Sequence, residues 1–291
     1  MGMVDTVGLI LHPQRDSKVA VDTIVGWAAG RGGQVLGLPE EIGRIDCSAM
    51  AVGPEVLASK SDLMVSLGGD GTMLRCMRMA RGRTTPVLGV NLGRLGFLAE
   101  IDVDQLQGAL TSIDEHRYQV EPRMAVTARL PDGRELTAFN DISVVRIPGD
   151  GLAAVEVLVE GCPFVRYTAD AVIVATSTGS TAYSFSAGGP IVSPTVEGYL
   201  VVPAAAHSSF NRAIMLSATE AVTLSLLPTC GELAVEVDGG VAARLTSGDR
   251  LEITATRAAA QVVRLGDTTF YERARRKLRV SGSAEADSIP S

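Results

Sequence analysis

The chain has 291 residues, and with 46% hydrophobic and 20% charged residues it has the composition of a globular protein rather than of a disordered chain. Its net charge of −7 argues against a general nucleic-acid-binding protein, because such proteins usually carry a basic face. No apolar run approaches the roughly 18 residues of a membrane-spanning helix, so the sequence predicts neither a nucleic-acid partner nor a membrane partner.

The cysteines and histidines are scattered along the chain. The cysteines form no CxxC pair, so we expect reduced, mostly structural thiols in a cytoplasmic protein; they are Cys47, Cys76, Cys162 and Cys230. The histidines are equally far apart, and a zinc site therefore has no support.

The first hundred residues alternate between strand and helix patterns, which predicts a doubly wound α/β domain over residues 1–102. Gly30 and Gly32 do not begin a dinucleotide fingerprint, because Val35 occupies the third glycine position. The main predicted elements are the strand Val7–Leu11, the helix Ser17–Ala29, the strand Val35–Leu38 and the strand Pro86–Val90.

The most informative stretch is an apolar run, Leu63–Leu67, that ends in GGDGT (68–72) and is followed at once by a helical pattern. Glycines let backbone N–H groups approach an anion, and a helix N-terminus adds a favourable dipole. Thr72 is predicted as the N-cap of that helix. We therefore interpret Gly68, Gly69 and Thr72 as parts of a phosphate-binding loop, with a plain tight turn as the alternative.

Asp70 is the unexpected member of this loop, because a carboxylate repels a phosphate. It needs either a metal ion or a hydroxyl group whose proton it accepts. The sequence contains no Gly-Lys-Ser/Thr loop and no protein-kinase HRD or DFG element. It thus favours phosphoryl transfer by backbone amides, one aspartate and Mg²⁺.

Strands and turns dominate the second half of the chain, which predicts a β-rich domain over residues 103–269. Its predicted segments, together with those that follow it, are the helix Val103–His116, the hairpin strands Val120–Leu130 and Leu136–Arg146 around a Pro-Asp-Gly turn, a last helix over 270–280 and a disordered polar end over 281–291. The predicted fold class is α/β plus β, with an N-terminal doubly wound α/β domain and a C-terminal β-rich domain.

A second candidate site is the stretch TADAVIVATSTGSTAYSFSAGGP (168–190), where an apolar strand runs into serines, threonines and glycines. A single capped turn needs fewer polar groups than this, so the cluster suits a polyhydroxyl or base-bearing ligand. A capped turn before a helix remains the simpler alternative. A hydrolase nucleophile elbow is disfavoured, because Ala175 replaces the first glycine of GxSxG.

A third candidate site is the pair Asn140-Asp141 inside the strand-like run TAFNDISVV. Asn and Asp are poor strand formers, and adjacent strand residues point to opposite faces. The pair therefore marks either a ligand-binding position or a bulge or strand end.

Taken together, these motifs resemble the NAD kinase family in its bacterial form. GGDGT alone is shared with diacylglycerol, sphingosine and phosphofructokinase-type enzymes. The resemblance rests on the order of GGDGT (68–72), NLGRLGFL (91–98), Asn140-Asp141 and D…TGSTAYSFSAGGP (170–190). It implies an α/β domain joined to a β domain, with the last helix packing back, and phosphorylation of the 2′-hydroxyl of the adenosine ribose of NAD.

The resemblance also implies roles for individual residues. Asp70 would take the hydroxyl proton, Gly71 would lie against the dinucleotide and Arg75 would lie near phosphate. Asn140 and Asp141 would hold ribose hydroxyls. The other substrate-binding positions that it implies are Asp170, Thr181, Ala182, Tyr183, Ser186 and His207.

Besides an NAD kinase, the sequence leaves open a kinase of another hydroxyl substrate, such as a lipid, and a catalytically silent dinucleotide-binding protein. The cluster at 168–190 argues against the first alternative, and an intact Asp70 argues against the second. The expected partners are NAD and a phosphoryl donor, either ATP or polyphosphate, with Mg²⁺. A homodimer or homotetramer is expected, because the family assembles and the β-rich half has strand edges to cover.

Overall fold

The computed structural model describes residues 4–93, 96–266 and 268–280, and within them the chain divides into two compact units. Unit 1 comprises the described residues up to Met79, Thr85–Glu121 and those from Val262 onward. Unit 2 comprises Ala80–Thr84 and Pro122–Gln261. The end predicted to be disordered, 281–291, lies outside the described residues.

Unit 1 is built on a parallel sheet with helices. Its elements are β1 (Thr6–Leu11), α1 (Lys18–Ala29), β2 (Gln34–Gly37), α2 (Pro39–Ile42), β3 (Met50–Ala51), α3 (Pro54–Lys60), β4 (Leu63–Gly68), α4 (Asp70–Met79), β5 (Pro86–Asn91), β6 (Ile101–Asp102), a 3₁₀ turn (Val103–Gln105) and α5 (Leu106–Asp114). The strand order is β3-β2-β1-β4-β5-β6. Every residue of β1, β4 and β5 is buried, as expected for parallel strands that helices cover on both faces.

The strand order contains a reversal between β1 and β4. From β1 the chain adds β2 and β3 on one side, and it then returns to place β4 on the other side of β1. In open parallel sheets, ligands bind outside the carboxyl ends of the strands at such a reversal. Here those ends lead into residues 12–17 and into GGDGT (68–72), so the topology directs attention to these two loops.

Unit 1 extends further along the chain than the sequence pattern indicated. α5 buries Leu106, Leu110 and Ile113 in the same hydrophobic core as β1 and α1. The boundary between the units therefore follows Glu121, and the expected boundary between residues 102 and 103 is corrected. The last helix, α7 (Phe270–Leu278), also belongs to unit 1.

Unit 2 is a sandwich of antiparallel sheets whose shared core draws on both. The elements are β7 (Gln119–Arg129), β8 (Glu135–Ala138), β9 (Asp141–Arg146), β10 (Ala153–Val159), β11 (Cys162–Ala169), β12 (Ala171–Thr176), a 3₁₀ turn (Thr178–Thr181), α6 (Tyr183–Ser186), β13 (Gly198–Ala204), β14 (Ile214–Ser217), β15 (Val222–Leu226), β16 (Leu233–Val237), β17 (Gly240–Leu245) and β18 (Arg250–Arg264). One sheet has the order β14-β13-β12-β9-β16-β17, and the other contains β11-β10-β15-β18 with the β7–β8 hairpin beside β18.

The strand predicted over Leu136–Arg146 is in fact two strands, β8 and β9. The break falls at Phe139 and Asn140, whose backbone amides donate to the carboxylate of Asp238 at 3.1 and 2.7 Å instead of to a neighbouring strand. The α/β plus β fold class is confirmed. No described helix is long and apolar enough to cross a membrane.

Candidate active site

The glycine loop joins β4 to α4 by a close approach of backbone and side chain. A Cβ on Gly68 would clash with the side chain of Thr72, which is buried beneath it. The amide of Met73 donates to the carbonyl of Gly69 at 3.0 Å, so the helix begins at Asp70 and Thr72 lies in its first turn. The prediction of Thr72 as the N-cap was therefore wrong. The first-turn amides have no acceptor within the helix and remain suited to an anion.

Basic side chains surround this loop on the side of β1. A cavity of about 460 Å³ is lined by His12, Pro13, Arg15, Gly69, Asp70, Gly71, Thr72 and Arg75. Burial, together with the charges of Arg15, Arg75 and Arg44, lowers the pKa of His12. Two arginines, Arg15 and Arg75, face the single carboxylate of Asp70 in this lining, so the cavity is electropositive, as a phosphate-binding site requires.

Arg75, which the sequence singled out, lines this cavity, but its guanidinium is already partly engaged. It pairs with Glu41 at 2.5 Å and donates to the carbonyl of Leu11 at 2.7 Å. Arg15 was missed by the sequence analysis. Its position in the loop after β1 becomes meaningful only once the reversal between β1 and β4 is known.

The carboxylate of Asp70 is held in one orientation by three donors. Oδ1 accepts a hydrogen bond from the amide of Leu98 at 3.0 Å. Oδ2 accepts from the amide of Phe97 at 3.0 Å and from Lys277 Nζ at 3.1 Å. A Cβ on Gly96 would clash with this carboxylate, which explains a glycine in the loop after β5. An ionised carboxylate offers about four lone-pair positions, and none of the described residues donates to the fourth, on Oδ1.

In unit 2, Asp141 is a buried carboxylate whose pKa is raised. It is the first residue of β9, and it is only 3% exposed. Burial, and then the charges of Asp238 and Glu236, raise the pKa of Asp141 to about 7. Such a shift is typical of a functional carboxylate.

The predicted stretches around Asn140 and 168–190 meet in unit 2. The carbonyl of Asn140 accepts from the amide of Thr176 at 2.8 Å. The Thr176 hydroxyl in turn accepts from the amide of Gly179 at 3.1 Å. A side chain on Gly179 would clash with the carbonyl of Asn140, so this glycine permits the close approach.

Only part of the serine and threonine cluster is available to a ligand. Ser180 is fully buried, donates to the carbonyl of Ser177 at 2.7 Å and accepts from the amide of Val192 at 3.0 Å. Ser177, Thr178 and Ser184 are also buried, so the expectation that the whole cluster serves a ligand is corrected. The predicted substrate-binding residues of this stretch, Thr181, Ala182, Tyr183 and Ser186, all have exposed surface.

Carboxylates gather around Tyr183. Burial, and then the charges of Glu236, Asp170 and Asp141, raise the pKa of its phenol. Asp170 forms an ion pair with Arg146 at 2.5 Å. The structure thus brings three of the predicted residues, Asp141, Asp170 and Tyr183, within electrostatic reach of one another. His207 lies on the exposed loop after β13, where its amide donates to the carbonyl of Thr168 at 2.8 Å.

The described side chains do not form a protein-held magnesium site. No group of three or more His, Cys, Asp or Glu among the described residues could hold a metal ion. Asp70 is the carboxylate of the glycine loop, and it already accepts three hydrogen bonds. Magnesium in proteins keeps much of its water and is often bound through substrate phosphates.

The comparisons with known proteins agree with one another. The ATP-NAD kinase N-terminal domain matches residues 38–118, and the C-terminal domain matches residues 139–265. NAD kinase 1 of Streptomyces avermitilis is 36% identical, with 97% of this chain and 89% of that protein covered. The NAD kinase of Moorella thermoacetica is 34% identical, with 98% and 92% covered.

Two solved structures resemble the chain over most of its length. The crystal structure of yeast NADH kinase complexed with NADH matches with a TM-score of 0.86 at 25% identity, covering 96% of this chain and 89% of that one. The structure of an NAD kinase from Archaeoglobus fulgidus in complex with ATP matches with a TM-score of 0.73 at 25% identity, covering 95% and 100%.

A glycine loop at the sheet reversal, an electropositive cavity beside it and an oriented aspartate are the parts of a phosphotransferase with an alcohol group as acceptor. The domain matches and the similarity over nearly the whole chain identify the acceptor substrate. The chain belongs to the NAD kinase family, and its activity is the phosphorylation of NAD.

Proposed function

We propose that the chain transfers the terminal phosphoryl group of ATP to the 2′-hydroxyl of the adenosine ribose of NAD, and that Asp70 engages this hydroxyl. The observation that carries the proposal is the fixed carboxylate of Asp70 at the N-terminus of α4, whose Oδ1 accepts one hydrogen bond from the described residues and has a second acceptor position. An alcohol can donate a hydrogen bond to that position, and a fully ionised phosphate cannot. The acceptor hydroxyl is thereby oriented as the nucleophile.

The donor side of the proposed site is unit 1. The first-turn amides of α4, including that of Gly71, and the cavity side chains Arg15 and Arg75 would hold the phosphate oxygens. Phosphoryl transfer requires mainly positioning and neutralisation of charge, which this set supplies. Magnesium would enter as MgATP, bound by phosphate oxygens and water. The ATP complex of the Archaeoglobus fulgidus relative supports ATP as donor, and polyphosphate remains a second donor to test.

The dinucleotide side of the proposal rests on unit 2. Asn140 and Asp141 would bind ribose hydroxyls, since the ionised carboxylate of Asp141 can accept two of them. The sugars and bases would be contacted by further residues with exposed surface. They are Asp170, Thr181, Ala182, Tyr183, Ser186 and His207. The NADH complex of the yeast relative supports a dinucleotide ligand.

The test is formation of NADP⁺ from NAD, ATP and Mg²⁺, detected with an NADP-specific dehydrogenase, which recognises the 2′-phosphate. We expect turnover with NAD and none with diacylglycerol or sphingosine as acceptor. Phosphorylation of a lipid instead would support the alternative kinase. Binding of NAD without any product would support the silent binder.

We also propose a homodimer or homotetramer in the cytoplasm. β11 is an edge strand, and its Phe164 is 56% exposed and lies edge-to-face against Phe210, with the ring centres 6.1 Å apart. An apolar edge of this kind favours a partner strand or surface. The four free cysteines suit a reducing compartment. A monomer mass by light scattering at micromolar concentration would contradict the oligomer.

A further inference from the structure

We propose that Lys277, on the last helix, is a positioning residue that neutralises Asp70, so that an anionic phosphoryl donor can approach the glycine loop. The inference rests on the proposed phosphoryl transfer. Lys277 Nζ lies 3.1 Å from Asp70 Oδ2 and 4.5 Å from the centre of the Phe97 ring. Carboxylate and aromatic ring together fix the ammonium group beside the loop.

The helix that carries Lys277 is anchored one turn earlier. Arg273 donates to Glu100 at 3.0 Å, and Arg264 donates to the same oxygen at 2.7 Å. The side chain of Glu100 is only 2% exposed, so this anchor is interior. Residues four apart share a helix face, and the anchor at Arg273 therefore directs Lys277 toward Asp70. A substitution at Lys277 leaves the anchor intact.

Lys277 resolves the difficulty that a carboxylate in a phosphate-binding loop creates. Asp70 lines the same cavity as Arg15 and Arg75, and without a counter-charge it would repel a triphosphate. The side chains of Lys277 and Asp70 are 34% and 28% exposed. An ion pair this exposed contributes little to folding stability, so we expect it to affect the binding of the charged donor rather than the stability of the fold.

Lys277 also selects which oxygen of Asp70 is free. Together with the amide of Phe97 it occupies Oδ2, while the amide of Leu98 takes one position on Oδ1. The remaining position on Oδ1 is the one left for the substrate hydroxyl. Removing the lysine would open a second position on the wrong oxygen, which should lower turnover.

The experiment is a double-mutant cycle read by calorimetric binding of MgATP to the full chain. The variants are Lys277→Met, Asp70→Asn and the double variant, with Lys277→Arg as the conservative replacement. Arg275→Met is the matched control, since it removes another exposed cation from the same helix. Steady-state kinetics of the single lysine and arginine variants accompany the binding data.

We expect Lys277→Met to weaken MgATP binding about tenfold in the wild-type background and less than about twofold in the Asp70→Asn background. Its kcat should fall by about tenfold while the KM for NAD stays unchanged. Lys277→Arg should recover most of the donor affinity, and Arg275→Met should match the wild type within about twofold.

Equal weakening of MgATP binding in both backgrounds would show that Lys277 contacts the donor itself, and the proposal would be overturned. Unchanged binding in Lys277→Met, an equal loss in Arg275→Met, or failure of the wild type to bind MgATP would also overturn it. These outcomes are measured by binding, so they are distinct from a failure of the wild type to form NADP⁺.

Discussion

Asp238 holds the backbone amide of Asn140 at 2.7 Å, and its own amide donates to the carbonyl of Asp141 at 2.9 Å. The two segments are 98 residues apart in sequence. Asp238 has a φ of 48°, in the left-handed region that Asn and Asp tolerate better than other residues with a side chain. Its carboxylate thus takes the place of a neighbouring strand where β8 and β9 separate.

We expect Asp238→Ala to raise the KM for NAD by roughly tenfold, because the Asn140-Asp141 backbone loses its acceptor. Asp238→Asn keeps one acceptor oxygen and the left-handed backbone, so its KM should rise no more than about threefold. Both variants remove the same charge near Asp141, and their difference therefore reports the hydrogen bond and the left-handed backbone rather than the charge. A folded Asp238→Ala protein with wild-type KM would contradict this role.

Asp70→Asn should lose most of its turnover, since a group that orients a hydroxyl or accepts its proton contributes about 10²–10⁴ in rate. The side-chain amide of the asparagine would also direct its own N–H donors toward the three donors that surround this position. Because these groups cannot then all find acceptors, a lower melting temperature is expected. Steady-state kinetics and thermal unfolding measure the two effects. A loss of less than about tenfold in kcat would make Asp70 only a residue of the turn.

Asp141→Ala should raise the KM for NAD by roughly ten- to a hundredfold and leave the KM for ATP nearly unchanged. Hydrogen bonds to a charged group contribute about 1.5–3 kcal/mol, and a ribose diol provides two of them. Asp141→Glu should be tolerated, as the carboxylate is retained. A lower melting temperature with an unchanged KM for NAD would instead assign Asp141 to a purely structural position.

The binding of NAD should strengthen as the pH rises from 6 to 8. The pKa of Asp141 is raised to about 7, so above this pH the carboxylate is ionised and can accept both ribose hydroxyls. The same shift stabilises the folded state fully below the unfolded pKa near 3.8, and this stabilisation is lost as the pH rises through 7. Asp141→Asn should flatten both the KM profile and the stability profile.

Formation of NADP⁺ should require Mg²⁺. The cavity beside the glycine loop offers Arg15 and Arg75, of which Arg75 is already paired with Glu41, so the side chains alone do not neutralise a triphosphate. Excess EDTA should abolish turnover, and added Mg²⁺ should restore it. Full activity in EDTA would contradict this expectation.

Local features of the fold could be predicted from the sequence because they depend on neighbouring residues. The apolar run at Leu63–Leu67 became the fully buried β4, and the last helix, predicted over 270–280, became α7 (Phe270–Leu278). The N-cap prediction at Thr72 failed for an equally local reason. The glycines allowed the helix to begin three residues earlier, at Asp70 instead of Met73, with the carbonyl of Gly69 as its first acceptor.

The contacts that hold the candidate site could not be predicted in this way, because they join distant parts of the chain. Asp238 reaches Asn140 across 98 residues, and Lys277 reaches Asp70 across 207. Hydrophobic periodicity carries no information on such pairs. The sequence pattern also assigned α5 to the β-rich half, although the apolar face of this helix completes the core of unit 1.

Unit 1 contains segments of the chain from both before and after Pro122–Gln261 of unit 2, so its last segment is synthesised late. The residues of unit 2 leave the ribosome after Asp70 but before α7, and domains generally fold as units during synthesis. The parallel sheet can therefore form early, whereas Arg273 and Lys277 reach Glu100 and Asp70 only after the whole sandwich has been translated. A nascent chain thus carries a glycine loop whose aspartate still lacks its cation until translation has passed the last helix.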